Sequence, residues 1–133
     1  WPDNLMAMTT VTSNKSLGRV NDLRQVRCQL KGLSVEPLWE EIEINLTDID
    51  WVIVGGESGV ASKEFELNWA RKLSVQCDEA KVAFFVKQLG KNPMDNGKPL
   101  DLANTHGGDW NEWPEDLRVR QMPNSFKLTG GDR

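Results

Sequence analysis

Residues Trp51-Val-Ile-Val-Gly-Gly-Glu-Ser-Gly59, WVIVGGESG, carry the strongest indication of the fold class. Its first four residues are apolar and three of them are β-branched, which predicts a buried strand over Trp51–Val54. A continuous apolar run, rather than an alternation, is typical of a parallel strand that is covered on both faces. Similar short runs predict three further strands, over Leu5–Val11, Leu30–Val35 and Val82–Val86.

Helical patterns lie between some of these strands. Residues 16–30 predict a helix with Ser16 as its cap, and residues 64–80 predict a second helix with Ser62 as its candidate cap. Trp39–Ile44, WEEIEI, fits a short helix or an extended stretch, because so short a segment has no decisive period. The predicted apolar stripes of the two helices are Leu17, Val20, Leu23 and Val26, and Phe65, Trp69, Leu73 and Cys77.

The order of these elements predicts an α/β fold with about four short parallel strands and right-handed crossovers. Four such strands are about half of a TIM-type barrel, and we expect them to form one domain over residues 1–90. Residues 91–133, rich at first in Asn, Asp, Gly and Pro, predict an irregular C-terminal extension that packs on this domain and is disordered at its end. One helical turn is expected over Pro114–Val119, and Trp110 and Trp113 are expected to pack the extension down.

Composition narrows the possible functions. The chain has 133 residues, of which 38% are hydrophobic, and a net charge of −4, which argues against a general binder of the nucleic-acid backbone. The apolar runs are too short for a membrane-spanning helix, and two cysteines are too few for a disulfide scaffold, so a cytoplasmic protein is expected. Because the chain begins with Trp1 rather than Met, we expect it to be a piece of a longer protein or a trimmed chain.

Polar residues follow three of the predicted strands. Since the carboxyl ends of adjacent parallel strands share one edge of a sheet, these side chains should converge there, where ligands bind in such folds. Two carboxylates and one ammonium could then surround a small polar ligand, with a carboxylate as general acid or base. The predicted catalytic residues are Glu36, Glu57 and Lys87, and the predicted ligand-binding residues are Ser34, Gly55, Gly56, Ser58 and Gln88, with no metal ligand.

Each charged residue of this set also has a structural interpretation. Glu57 would cap the helix that follows it, Glu36 before Pro37 would be a turn residue, and Lys87 would be an ion-pair partner of Glu57. Other residues fit structural roles more simply. We expect Cys28 and Cys77 to be core thiols on helical faces, Trp51 and Trp69 to be core residues, and His106 to be a solvated loop residue.

Several motifs together resemble the phage gene product 37/68 family, whose members are mostly uncharacterised. They are LSVEPL at residues 33–38, WVIVGGESG at 51–59, NWAR at 68–71, FFVKQLG at 84–90 and DWNEWP at 109–114. The resemblance covers roughly residues 1–115. Many members have His-Pro where this chain has Glu66-Leu67.

The resemblance implies a function that the residues by themselves do not show. Complete members of the family look like radical S-adenosylmethionine proteins whose N-terminal half carries three cysteines suited to a [4Fe–4S] cluster. This chain resembles the C-terminal half only, so S-adenosylmethionine and the cluster are implied for the complete protein and no cofactor for this chain. The implied partner is the missing N-terminal half, and the chain alone should be catalytically silent.

Two other functions are consistent with the residues. A half-barrel exposes sheet edges and an apolar interior, so the chain could be a stand-alone binding or assembly module that pairs as a two-fold homodimer. Alternatively, Glu36 and Glu57 could serve a cofactor-free hydrolase or isomerase as a pair of carboxylates. Neither a nucleophile–base pair nor a set of metal ligands accompanies that pair in the sequence.

Overall fold

The computed structural model describes residues 4–124 as a mixed α/β fold. Its strands are β1 (Met6–Thr10), β2 (Leu30–Val35), β3 (Trp51–Gly55), β4 (Phe65–Glu66), β5 (Ala83–Gln88), β6 (Pro93–Asp95) and β7 (Lys98–Pro99). Its helices are α1 (Gly18–Arg24) and α2 (Leu67–Ala80), and short 3₁₀ turns cover Asn14–Ser16, Trp110–Glu112 and Glu115–Leu117.

The predicted parallel sheet is confirmed. Its strand order is β1-β2-β3-β5, and every neighbouring pair is parallel. Each of the four predicted strands begins and ends within two residues of the observed strand. The helical turn expected near Pro114 is present at Glu115–Leu117.

The two faces of this sheet differ. One face, which we call the core face, packs against α1, α2 and the segment between β2 and β3 in a single hydrophobic cluster. The other face, which we call the open face, carries mostly half-buried or exposed side chains, with Leu30 buried among them, so the prediction of strands covered on both faces is only half right. The core face carries Leu33, Val35, Val52, Val54, Phe84 and Val86. The open face carries Met6, Met8, Trp51, Ile53 and Phe85.

The first helix is shorter than predicted and is not capped by Ser16. It covers Gly18–Arg24, and the Ser16 hydroxyl instead accepts the amides of Thr12 and Ser13 at 3.0 and 3.3 Å in the preceding 3₁₀ turn. Because the helix ends early, Cys28 lies in the irregular segment that leads into β2 rather than on a helical face. It is nevertheless buried, as a core thiol should be.

The second helix is confirmed, but its cap and stripe are shifted. Glu66 is the N-cap, since its carboxylate accepts the Asn68 amide at 3.0 Å, so Ser62 has no part in it. Trp69 is half-buried rather than part of the core. The buried residues of the helix are Leu67, Ala70, Leu73 and Cys77, and Phe65 precedes them in β4.

The segment Trp39–Ile44, which the sequence left open, is extended without joining a sheet. The amide of Gln76 on α2 satisfies its backbone, since Gln76 accepts from the Ile44 amide at 2.9 Å and donates to the Ile42 carbonyl at 3.0 Å. Ile42, Ile44 and Leu46 therefore point into the core at every second position.

The C-terminal extension contains more regular structure than predicted. β6 and β7 form a hairpin whose turn, Asn96-Gly97, has positive φ at both residues, and β6 also pairs with β4. Residues 119–121 run antiparallel along β5, where the Val86 amide donates to the Val119 carbonyl at 2.8 Å. The predicted disorder at the end of the chain concerns residues 125–133, which lie outside the described residues.

No helix among the described residues is long and apolar enough to cross a membrane.

Candidate functional site

The carboxyl ends of β2, β3 and β5 bring part of the predicted site together. Val35, Val54 and Val86 are neighbours across these strands, so the residues that follow them reach the same edge of the sheet. The register then shifts between Val54 and Gly55, and the shift places Gln88 rather than Lys87 opposite Gly55. This irregularity brings Gln88 beside Gly55.

Glu36, Lys87 and Gln88 form what we call the strand-end cluster. One carboxylate oxygen of Glu36 accepts from Gln88 Nε2 at 3.1 Å, and the other lies 3.5 Å from Lys87 Nζ. The Glu36 side chain is 25% exposed and that of Lys87 is 60% exposed. An ion pair so open to water contributes little to stability, so the ammonium remains available to a ligand.

Gln88 holds the cluster to the backbone of β3. Its Nε2 donates to the Gly56 carbonyl at 2.7 Å as well as to Glu36, and these two acceptors fix the orientation of the amide. Its Oε1 is buried and has no hydrogen-bond partner among the described residues. An unpaired buried acceptor lowers the free energy of unfolding, and a functional role is one explanation for such an atom in a native protein.

The glycine pair before Glu57 is needed for close packing inside the protein. A Cβ on Gly55 would lie 2.6 Å from Gln88 Nε2, and one on Gly56 would overlap the Leu89 carbonyl. The sequence predicted a close approach at these residues and assigned it to a ligand. The groups that approach are part of the protein itself: Gln88 and Glu36 at Gly55, and Leu89 and the Phe65 ring at Gly56.

Glu57 binds residues other than those of the strand-end cluster. Its Oε2 accepts from Trp39 Nε1 at 3.2 Å and from the Lys63 amide at 3.3 Å. The expectation that it pairs with Lys87 is wrong, since Lys87 pairs with Glu36. The expectation that it caps the next helix is also wrong, because Glu66 caps α2.

The two remaining predicted residues lie at the periphery. Ser34 is half-buried in β2 between Thr10 and Ile53, and alternation puts its side chain on the open face. Ser58 is exposed at the start of the irregular segment that leads to β4. His106 is exposed in a loop, as predicted.

Two residues next to the site were not identified from the sequence. Trp39 donates its indole N–H to Glu57, and the Lys63 ammonium lies 4.2 Å from its ring centroid. Arg120 donates to the Val86 and Lys87 carbonyls at 3.1 and 2.9 Å and lies within 5.4 Å of the ring centroids of Phe85, Trp110 and Trp113. No hydrophobic periodicity in the sequence marks Trp39 or Arg120, so the sequence did not predict that these side chains lie here.

The cysteines confirm their structural interpretation. Cys28 and Cys77 are both buried and free, and burial raises the pKa of the Cys77 thiol from 9.0 to about 12. Within residues 4–124, no group of three or more His, Cys, Asp or Glu side chains is placed to hold a metal ion.

A family profile described as a protein of unknown function, DUF5131, matches residues 1–121. The chain belongs to the DUF5131 family. The match begins before β1 and extends to the segment that pairs with β5, so it includes the sheet, the strand-end cluster and most of the extension. Neither the curated proteins nor the solved structures contain a significant match to this family member.

Proposed function

We propose that this chain is the C-terminal half of a radical S-adenosylmethionine-like protein of a phage or prophage, in which the strand-end cluster lines the substrate pocket. The observation that carries the proposal is the winding of the sheet. The strands follow one another in chain order, and all three connections pack on the core face. A doubly wound sheet has helices on both faces, whereas a TIM-type barrel has helices only on the outer face of its sheet. Connections on a single face therefore favour a barrel.

In this proposal the open face is the inside of a partial barrel. Residues 119–121 occupy the outer edge of β5, so the sheet does not continue past β5 and further strands would join at β1. The resemblance of the five motifs to the phage gene product 37/68 family supplies the radical and phage parts of the proposal.

The strand-end cluster would contact the substrate rather than a cofactor. It lies at the carboxyl ends of the strands, where ligands bind in barrels and open parallel sheets. Glu36 offers hydrogen-bond acceptors, Lys87 offers an exposed ammonium, and Gln88 fixes the carboxylate between them. Glu57 and Trp39 would form the adjoining wall of the pocket.

The residues of this chain do not fit a [4Fe–4S] cluster. Such a cluster needs several cysteine thiolates, and the sequence has two cysteines, both buried. With a pKa of about 12, the Cys77 thiol keeps its proton at neutral pH. Cluster binding and the use of S-adenosylmethionine therefore belong, in this proposal, to the N-terminal half, and we assign no step through either group to this chain.

The test is to read the coding sequence upstream of Trp1 in frame and to purify the whole product without oxygen. We expect iron and sulfide in the ratio of a [4Fe–4S] cluster and binding of S-adenosylmethionine by calorimetry. The 133-residue chain purified in the same way is the matched control and should hold neither. A whole protein without iron and without affinity for S-adenosylmethionine would refute the proposal.

A variant of the whole protein tests the division of roles. Glu36→Gln should leave the iron content and the affinity for S-adenosylmethionine unchanged, because Glu36 contacts neither in this proposal. Loss of iron from this variant, with its fold intact by circular dichroism, would show that the strand-end cluster belongs to the cofactor site instead.

A second candidate function is a stand-alone binding or assembly module. It is favoured by one observation, that the outer edge of β1 and much of the open face are not covered by any described residue. A start codon directly upstream of Trp1 would favour this function over the first.

A further inference from the structure

Glu57 joins the segments that follow three strands of the parallel sheet. Its carboxylate accepts from the Trp39 indole at 3.2 Å and from the Lys63 amide at 3.3 Å. Its backbone carbonyl accepts from the Lys91 amide at 2.9 Å. Trp39 comes after β2, Lys63 after β3 and Lys91 after β5, so one residue holds together the segments beyond the carboxyl ends of these strands.

The Trp39 ring is held in place and is still open to water. Glu57 binds its indole N–H, and the Lys63 ammonium lies 4.2 Å from its ring centroid. Trp39 is nevertheless 37% exposed, although tryptophan side chains are on average highly buried. A fixed aromatic ring that remains exposed can stack on a planar ring of a ligand, and every nucleic-acid base has such a ring.

Exposed lysines accompany this ring. Lys63, Lys87 and Lys91 are all exposed at the ends of β3 and β5 or just beyond them. Within residues 4–124, the ammonium groups of Lys63 and Lys91 have no ion-pair partner, and that of Lys87 is 3.5 Å from Glu36. The whole chain has 20 acidic and 16 basic residues, so these lysines do not reflect a basic composition, and they would attract an anion to this place.

We propose that the substrate of this pocket is a nucleoside phosphate, with its base stacked on Trp39 and its phosphate bound by Lys63 and Lys91. Glu36, whose side chain is 25% exposed, accepts a hydrogen bond from a sugar hydroxyl or from an N–H group of the base. A nucleoside phosphate combines a planar ring, hydrogen-bond donors and an anion, and groups suited to all three meet here. The inference rests on the proposed function, because it names the substrate class of the pocket proposed above.

Calorimetric titration of the 133-residue chain with guanosine monophosphate tests the inference. This probe contains no adenine, so its binding cannot be mistaken for binding at a site for S-adenosylmethionine. We expect Trp39→Leu to raise the dissociation constant by about tenfold or more, because the base loses its stacking partner. Trp39→Phe keeps a ring and should retain most of the affinity. Circular dichroism establishes that both variants are folded.

The lysines should act on the phosphate rather than on the base. The double variant Lys63→Gln, Lys91→Gln should weaken the binding of guanosine monophosphate by about threefold or more and should abolish the preference of the chain for this nucleotide over guanosine. Lys81→Gln is the matched control, because Lys81 is an equally exposed lysine that follows α2 at the amino end of β5, the opposite end of the sheet. This control should bind the nucleotide like the unaltered chain.

Two further probes define the ligand. Inorganic phosphate should bind much more weakly than guanosine monophosphate, and equal binding would overturn the inference because the ring would then have no part in it. The 5′-phosphorylated dinucleotide pGpU distinguishes the sources of the nucleotide. Tighter binding of pGpU than of guanosine monophosphate would support a nucleotide within a strand, and weaker binding would support the free nucleotide.

Failure of guanosine monophosphate to bind to either the 133-residue chain or the whole protein at millimolar concentration would overturn the inference. Binding that neither Trp39→Leu nor the double lysine variant weakens would overturn it as well. These results are independent of iron and S-adenosylmethionine. A whole protein that holds the cluster but does not bind the nucleotide would refute this inference alone, whereas nucleotide binding by a protein without iron would refute only the radical part of the proposed function.

Discussion

The two edges of the parallel sheet are built in opposite ways. At β5, residues 119–121 add backbone hydrogen bonds, and Arg120 binds two further carbonyls from within a group of aromatic rings. At β1, the outward groups of Met6 and Met8 are unused among the described residues. The sheet is therefore closed on one side by its own chain, and we call this its finished edge; the other side can still be extended.

The finished edge also supports the candidate site. Lys87 and Gln88 end β5, and Arg120 binds the Lys87 carbonyl at 2.9 Å, so the cover of this edge holds the backbone from which both side chains project. The open edge lies at the opposite side of the sheet, with β2 and β3 between. A change at one edge should therefore affect the other weakly.

The largest effect is expected from removing the anchor of the finished edge. Trp113 is 2% exposed, and its Nε1 donates to the Gly107 carbonyl at 2.8 Å. Trp113→Ala should lower the free energy of unfolding by about 3–5 kcal/mol, measured by urea denaturation, because it leaves a large cavity. It should also make β5 amides exchange as readily as those of β1, which would abolish the difference between the edges.

Trp110→Ala is the control for this change. Trp110 lies beside Trp113, with ring centroids 5.7 Å apart, but it is only half-buried. Its loss should cost less than that of Trp113. Equal costs would show that the aromatic group stabilises the edge as a unit, rather than through the one buried ring.

A smaller effect is expected at the ion pairs that tie the extension to α2. Arg71 lies 2.7 Å from Asp95 of β6 and 2.7 Å from Asp116, and hydrogen bonds to Asp95 and then Asp116 raise the pKa of its guanidinium above the ordinary value. Arg71→Ala should cost about 1–2 kcal/mol, because the group is partly exposed and screened by water. Lys72→Ala removes a more exposed ion pair to Glu41 and should change stability less.

The fold was predictable where the signal is local. The runs WVIV and LKGLSV predict strands because apolar residues lie close together in them. The helix α2 was predicted because its apolar residues recur over several turns. Short or long-range features were not predictable in this way. The β6–β7 hairpin was missed although Asn96-Gly97 is a turn signal, since its strands have only two or three residues.

The sequence predicted which residues lie near one another in the site, but it did not predict their contacts. Parallel strands must end together, so the convergence of Glu36 and Gln88 follows from their positions after strands. Their partners do not follow, because the register shift at Val54 and Gly55 turns Gln88 toward Glu36 and is not visible in the sequence. Trp39 contacts Glu57, 18 residues away, through an irregular segment for which no pattern exists.

The two thiols report on local unfolding in two places, beside β1 and in α2. Cys28 lies beside β1, where its Sγ donates to the Leu5 carbonyl at 3.2 Å, whereas Cys77 lies on α2 behind the core face. We expect a thiol reagent at pH 8 to label Cys28 faster, by about tenfold or more, because the open edge should unfold locally at lower free energy. The variants Cys28→Ala and Cys77→Ala give each rate by itself, and equal rates would contradict the expectation that the β1 edge unfolds locally more readily than α2.

The Cys77 thiol also predicts a pH dependence. Burial raises its pKa from 9.0 to about 12 in the folded chain, so the unfolded thiol loses its proton first as the pH rises. The stabilisation is complete below about pH 9 and is lost progressively between pH 9 and 12. Cys77→Ala should remove this part of the decline in stability, measured by urea denaturation at pH 8 and pH 11.

The smallest effect is expected at Lys87, and its neighbour provides the contrast. Lys87→Gln should change the free energy of unfolding by less than about 0.5 kcal/mol, because the side chain is 60% exposed and its oxygen partner is 3.5 Å away. Gln88→Ala should cost about 1–3 kcal/mol, since the Gly56 carbonyl and Glu36 both lose the amide that binds them. A costly Lys87→Gln would mean that the ammonium serves the sheet, and that the finished edge leaves no cation free for a ligand.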